Sequence, residues 1–569
     1  MRGALSAALA ALAVSAGAGN LPPGECRDRW VYVSRDFRTD ASLASFSNTV
    51  SAAAANGMNG VLLAFDADYC HRFKPDRLAR LARAKEIADA CGVEIVPLVC
   101  NVGYGAPQYS NVNLLESEEI RDLRYVARKG GARFVPEGGN RLQPDAWKMD
   151  LPDKIVFRDP DVSHSGAASF RFEPKNDPRS GNAAIRNSQA RIWQDNLPVS
   201  PGKRYRLSAW VKTEGLENPD GLKLQVYDAG GKSPFYADAW TGEVYSGARA
   251  DSRWDKAAGD MDWRRICLDF TAGATNRITA YIGSWRSKAG RFWVDGAELV
   301  EIGHRSVVTN GGCRVTVRNA KTGRVYEEGR DFLPLGLYGK GERAWRILPD
   351  EPELPIPEGS AIEPGDELLV SAYTPVVIDT RQWVSCMSHP GLYEFFREGL
   401  TAVRDALHPR KWFLTLDEIR AGGSCGLCKA SGKDQAHILG ECVTKLRGIV
   451  KELCPEAEIY AWHDMFDPKH NAVEDYCQAR TTYRGSWKFI PKDVIICVWG
   501  SARRAGSLKF FAKEGFRTVG ACFYDIDRKA DLRTWADMCR ATDGCRGLVY
   551  TSWKDDFSLL PAFNEILSE

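Results

Sequence analysis

Charge of one sign is what this chain most plainly lacks. Its 76 Lys and Arg are matched by 74 Asp and Glu, which leaves no broad basic face for a phosphate backbone and no acidic tail. Nucleic acid is therefore not an expected partner. Long apolar runs are equally scarce. Only Met1 to Ala18 has one, with Arg2 ahead of a run of Ala, Leu and Val and small residues at Ala16 and Ala18 around a cleavage point. That is the pattern of a secretory signal peptide, shorter and richer in Ala than the roughly 20 strongly apolar residues of a membrane anchor. The expectation is a secreted or periplasmic protein with no integral membrane association. Cysteine is sparse too: 16 in 569 residues is under about 3%, far below the small disulfide scaffolds. Cys100, Cys497 and Cys522 sit in apolar runs and Cys442 on an apolar helix face, where a thiol behaves as a small hydrophobe. Cys425-x-x-Cys428, with His437 and Cys442 nearby, has the residue types of a zinc site, but no second Cys-x-x-Cys follows. A disulfide or free thiols is the preferred reading, and neither metal nor cofactor is assigned.

Apolar residues are plentiful at 44%, with 17 Trp, 19 Tyr and 23 Phe, enough for packed cores in a chain of about three or four domains' length. Trp30 to Ser34 is an apolar strand-like run, and the next apolar positions, Leu43, Phe46, Val50 and Ala53, have helical spacing. Val61 to Phe65 is a second strand. Pro75 opens a helix carrying Leu78, Leu81, Ala84 and Ala88, and Gly92 ends it before a third strand at Val93 to Val99. The alternation then stops for about 270 residues and resumes with a helix through Leu392, Phe395, Phe396 and Val403. Five more strand runs follow: Phe413 to Leu416, Ile459 to Trp462, Val494 to Trp499, Val519 to Tyr524 and Leu548 to Trp553. Three strands and five make eight, the count that closes a (β/α)8 TIM barrel, so the fold class expected is α/β with the barrel interrupted after strand three.

The interruption is β-rich. Runs at Arg204 to Val211, Leu222 to Tyr227, Arg265 to Phe270, Ile278 to Ile282 and Arg291 to Val294 are short and punctuated by Pro, Gly, Asn and Asp, a sandwich pattern. PGKRYRLSAWVKTEG, AYIGSW and GRFWVDGAELVEIG resemble the jelly-roll carbohydrate-binding modules of secreted glycosidases. In that resemblance Trp293 and Asp295 are structural. The organisation expected is a signal peptide at 1–18, barrel at 24–111, jelly-roll insertion at 145–304, a small β-rich connection at 305–378 and the rest of the barrel at 379–569.

Barrel chemistry lies at the C-terminal ends of the strands. Those positions hold Arg35 and Asp36, Asp66 and Asp68, Asn101 and Tyr104, Asp417-Glu418, Trp462 and Asp464, Trp499, Tyr524 and Asp525, and Trp553 with Asp555 and Asp556. Aromatic faces to stack on and carboxylates to accept hydroxyls are what a sugar pocket needs. FLTLDEIR at the fourth strand resembles the Asp-Glu motif of family 20 glycoside hydrolases, the β-N-acetylhexosaminidases. AWHDMFDPKHNA and TSWKDDFS resemble bacterial hexosaminidase-like proteins with an interrupted barrel. The family's Gly-Gly before Asp-Glu is Thr415-Leu416 here, and its His after strand three appears as Tyr104.

The resemblance implies an oligosaccharide or glycoconjugate substrate and substrate-assisted hydrolysis. Glu418 would be general acid and then base, with a raised pKa, Asp417 would hold the 2-acetamido N–H, and Tyr524 would donate to the acetamido oxygen. Trp462, Trp499 and Trp553 would wall the sugar, with Arg35, Tyr104, Asp464, Asp525 and Asp555 completing the substrate-binding set. The other readings are a different retaining barrel β-glycosidase and a non-catalytic secreted glycan-binding protein.

Overall fold

The computed structural model describes residues 26–105, 111–229, 236–240, 258–304, 307–335, 353–376, 378, 382–500, 502–525 and 528–569. The signal-peptide segment at 1–18 lies outside them. Eight parallel strands close a barrel in chain order: β1 (Asp28–Ser34), β2 (Gly60–Ala64), β3 (Glu94–Val99), β4 (Lys411–Leu414), β5 (Glu458–Trp462), β6 (Ile495–Val498), β7 (Thr518–Phe523) and β8 (Cys545–Thr551). Each coincides with one of the eight apolar runs. Their continuous apolarity has a simple cause, because successive side chains point to opposite faces and both faces are buried. Trp30, Tyr32, Leu98, Phe413, Tyr460 and Cys497 fill the barrel interior, whereas Val31, Val33, Val99, Leu414 and Ile496 face the surrounding helices.

Those helices are α1 (Asp40–Ala55), α2 (Pro75–Ala90), α3 (Pro390–Leu407), α4 (Gln435–Leu453), α5 (Arg504–Lys513), α6 (Lys529–Arg540) and α7 (Leu560–Ser568). The Thr39 side chain caps α1 by accepting from Ser42 N, and α2 and α3 each begin with Pro at a position whose N–H has no helical partner. Between β5 and β6 the described chain forms no α-helix, only the short 3₁₀ turns Asp464–Phe466 and Ser486–Lys488 and a two-residue strand, Gln478–Ala479, that pairs with Ala421–Gly422. Among the described residues no helix is long and apolar enough to cross a membrane.

Between β3 and β4 the chain builds two further bodies, one nested in the other. Ser117–Arg128 and Gly131–Phe134 begin an antiparallel sheet that Thr316–Asn319, Val325–Tyr326, Leu354–Pro355 and Glu367–Pro375 complete, over a core of its own around Ile120, Leu123, Tyr125 and Val370. Within that interval, two five-stranded antiparallel sheets share one core, in which Leu207, Phe270 and Phe292 of one meet Ile192, Leu224 and Ile282 of the other. Ser117–Arg128 went unread in the sequence for a physical reason. Asp122 has φ +53, and the register of the paired strand slips between Val370 and Ala372, so the apolar period breaks between Ile120 and Leu123.

The N-terminal end of the barrel is closed by ions. Asp28 is fully buried and holds Lys411 at 2.9 Å, Arg546 at 3.2 Å and the Tyr460 hydroxyl at 3.0 Å. Arg546 reaches on to Glu458 at 2.6 Å. The adjacent guanidinium helps hold the Glu458 carboxyl down at about 2, against burial. Replacing Asp28 by Ala removes the buried anion that Lys411 and Arg546 share and leaves each with one carboxylate, Glu94 and Glu458, so Asp28→Ala should lose about 1–3 kcal/mol of unfolding free energy in a denaturant titration. A loss under about 1 kcal/mol would contradict this account of the barrel floor.

Candidate active site

The opposite end of the barrel carries the unusual backbone. There, left-handed φ values at residues other than glycine include Phe37 (54°), Cys100 (60°), Glu418 (46°), Phe523 (80°), Tyr524 (46°), Asp525 (58°) and Asp555 (56°), at or just beyond the ends of β1, β3, β4, β7 and β8. Such conformations cost on the order of 1–3 kcal/mol each and persist only where the surroundings impose them. The restraints are visible. Asp68, buried after β2, accepts from Cys100 N at 2.6 Å and Asn101 N at 2.8 Å. Asp525 accepts from Ser552 Oγ at 2.6 Å and Trp553 N at 2.9 Å, so its oxygens hold the β8 loop.

Glu418 is restrained most closely. Asp464, with no exposed surface, accepts from Glu418 N at 2.8 Å, Asn471 Nδ2 at 2.9 Å and Trp499 Nε1 at 3.3 Å, tying together the ends of β4, β5 and β6. The Glu418 carboxylate takes Arg420 Nη2 on Oε1 at 2.7 Å and the Tyr104 hydroxyl on Oε2. Gln382 donates to Glu418 O at 2.8 Å and to Gly103 O at 3.2 Å, and accepts from Arg420. The Tyr104 loop lies against the pair so closely that a Cβ on Gly103 would sit 2.1 Å from Asp417 O, which is why a glycine precedes Tyr104.

Asp417 contrasts with its neighbour. Although the residue keeps part of its surface, its Oδ1 is out of contact with solvent and has no hydrogen-bond partner among the described residues. Burial, then the charges of Asp464 and Glu418, push its carboxyl up to about 8. Asp464 rises only to about 6, because the donors it receives oppose its burial. Asp417 also helps burial raise the Tyr32 and Tyr524 hydroxyls, so these phenols share its surroundings.

Aromatic rings arc along the same rim. Ring centroids are 6.4 Å apart for Trp499 and Tyr524, 6.5 Å for Tyr524 and Trp553, and 5.2 Å for Trp553 and Tyr32. Trp553 is 67% exposed and lies open to a ligand, whereas Trp462 is buried on Phe413 in the barrel interior, 4.6 Å away. His470 meets Trp499 edge-on at 4.5 Å and stacks on His463. Burial holds both imidazoles below the usual range.

Asp417, Glu418, Tyr104, Asp464, Trp499 and Tyr524 are therefore linked into one site by these contacts and charges. Arg35 and Asp555 bind each other at 2.9 Å, with Arg35 also on Ser34 O and Ser45 Oγ. Arg420, Gln382 and Asn471 were not read from the sequence. Arg420 and Asn471 lie inside FLTLDEIR and AWHDMFDPKHNA, where a signal existed. Gln382 carried none, since only the return of the inserted chain brings it here.

In the sandwich, Trp293 is buried and donates to Asp159 Oδ2 at 2.9 Å, and Asp295 accepts from His164 N and Ser165 N. Both are structural contacts. Trp193 and Tyr281 stack at 5.7 Å, with Trp285 edge-on to Tyr281, all half-buried. Trp254 lies outside the described residues, as does the side chain of Trp240.

No family model matches the chain, and no curated protein matches it. Among solved structures it overlaps a rhamnosidase from Novosphingobium sp. PP1Y (TM-score 0.32, 11% identity, 93% of this chain and 55% of that one). It also overlaps a Flavobacterium johnsoniae chitobiase (0.25, 16%, 32% and 29%) and a xylan-binding domain from Paenibacillus barcinonensis (0.21, 13%, 30% and 99%). The chain thus spans little more than half the length of the rhamnosidase and less than a third of the chitobiase. The neighbours are glycoside hydrolases and carbohydrate-binding modules, and at these scores their likeness fixes neither activity nor substrate.

Proposed function

We propose that this protein is a secreted glycoside hydrolase of the β-N-acetylhexosaminidase type, cleaving terminal 2-acetamido sugars by substrate-assisted, retaining hydrolysis. One observation carries the reading: a buried carboxylate oxygen, Asp417 Oδ1, without a donor, beside a carboxylate held in place by backbone and side-chain contacts. A buried acceptor left unmade costs about 1–3 kcal/mol, and the N–H of a 2-acetamido group is the donor that would satisfy it. With Asp417 holding that N–H and Tyr524 donating to the acetamido oxygen, the oxygen attacks the anomeric carbon as the glycosidic bond breaks. Glu418 gives its proton to the departing oxygen. It then takes one from the water that opens the cyclised intermediate and restores the sugar. Trp499 and Trp553 offer faces to the ring. Another retaining β-glycosidase would need a carboxylate nucleophile after β7, where Asp525 is already engaged with Ser552 and Trp553.

The same proposal takes the scaffold as a (β/α)8 barrel interrupted after its third strand, with the sandwich as a jelly-roll module of carbohydrate-binding type and 1–18 as its export signal. The stacked Trp193 and Tyr281 with Trp285 give that module an aromatic face on which a sugar can stack.

Two variants separate the roles. Glu418→Gln should lower kcat on an aryl 2-acetamido-β-glycoside by about 10²–10⁴-fold with binding retained, and undiminished turnover would refute its assignment. Asp417→Asn should also lose rate on that substrate, and it has a second signature. A carboxyl raised from 3.8 to about 8 keeps its proton in the folded state where the unfolded chain has lost it. Its contribution to stability is therefore full below about pH 4 and is lost as pH rises toward 8. Asp417→Asn should remove that decline, so the variant should be more stable than the wild type at pH 8 and less distinguishable from it at pH 4. Parallel stability–pH curves for the two proteins would contradict the burial of Asp417.

A further inference from the structure

Where the inserted chain leaves and rejoins the barrel, four ligand-type side chains converge away from the sugar site. Cys386, Cys425, Cys428 and Glu116 are all buried, with one ligand atom of each within 4.8 Å of the others. Cys386 Sγ lies 3.4 Å from Cys425 Sγ and 3.9 Å from Cys428 Sγ, and Cys428 Sγ lies 3.5 Å from Glu116 Oε2. The distances carry information. Zinc–sulfur bonds of about 2.3 Å at the tetrahedral angle place sulfurs about 3.8 Å apart, and with a zinc–oxygen bond of about 2.1 Å they place sulfur and oxygen about 3.6 Å apart. A disulfide instead requires about 2.05 Å between sulfurs.

From this convergence we infer a structural zinc site with Cys386, Cys425, Cys428 and Glu116 as its four ligands. Glu116 is aimed for that role: its Oε1 is taken by Ser424 N, Ser424 Oγ and Cys425 N at 2.8–3.0 Å, leaving Oε2 for the metal. The sulfurs carry outer partners as well, Cys428 N on Cys425 Sγ at 3.3 Å and the Ser388 hydroxyl beside Cys428 Sγ at 3.2 Å, the second shell expected around thiolate ligands. Four protein ligands fill a tetrahedron, so the site is closed and structural. Neither His437 nor Cys442, the partners that spacing suggested, joins it. His437 is exposed on Asp434, and Cys442 is buried in α4. Cys313 stands alongside, its Sγ accepting from Gly426 N.

The site joins three segments. Glu116 lies where the chain leaves the barrel, bonded through its backbone to Val384 and Val376. Cys386 lies where it returns, its N donating to Leu114 O at 2.8 Å. Cys425 and Cys428 follow Glu418 and Arg420 in the loop after β4. The metal would staple both crossings of the insertion to the loop that carries the carboxylate pair.

Elemental analysis of the full-length protein, purified without added metal or chelator, should find about one zinc per chain. Co²⁺ exchanged into it should give the absorption of a tetrahedral thiolate complex. Glu116→Gln should yield zinc to a chelator faster than wild type, whereas Cys313→Ser should retain it. Cys428→Ser should lose the metal, and because loss of a buried ligand also disturbs folding, the wild-type stoichiometry is the deciding number. Metal-free wild type in which peptide mapping links any two of the three cysteines would overturn the site. So would metal-free, fully reduced wild type that takes up no Zn²⁺ on titration.

Discussion

The carboxylate of Asp464 is the contact on which the site depends. It is buried, and its position is fixed by three donors from three places: the backbone of Glu418, the amide of Asn471 and the indole of Trp499. Through it the ends of three neighbouring strands are held in one geometry, and the left-handed turn at Glu418 is kept in place. The charge of Asp464 in turn raises Asp417, which lies in the same burial and receives no donor on Oδ1. One well-satisfied carboxylate thus maintains one unsatisfied carboxyl oxygen, an arrangement that costs stability in the free protein and gives it a place for an amide donor.

The strained residues fit the same division. At the N-terminal end of the barrel, ion pairs around Asp28 and Glu458 satisfy their charges and close the floor. At the C-terminal end, Phe523, Tyr524 and Asp525 occupy consecutive left-handed conformations, held partly by the bonds of Asp525 to the β8 loop. The aromatic rim thus lies beside a run of left-handed backbone.

Much of the barrel was legible because its signal is local. Strands buried on both faces read as unbroken apolar runs, and amphipathic helices between them repeat at helical spacing, so all eight strands could be counted. The sheet that begins at Ser117 was not legible, since a bulge interrupts its period and four of its six strands lie far along the chain, beyond the sandwich. In the site, Asp417, Glu418 and Tyr524 stood out by type and place at strand ends. Gln382 did not, because nothing local distinguishes a glutamine that acts by bridging two distant loops. The Cys386 and Glu116 partners of the Cys425–Cys428 pair were hidden for the same reason: spacing reports ligands close in sequence, and these are brought together by the two crossings of the insertion.

The central claim is that Asp417 and Tyr524 grip an acetamido group that is itself the nucleophile. Its most direct test is the affinity of a thiazoline that mimics the cyclised intermediate, compared with the product sugar by calorimetry on the wild-type protein. Stabilisation of the cyclised species should make the thiazoline bind at least about 10²-fold more tightly. Equal affinities, or no thiazoline binding where the product sugar binds, would contradict it.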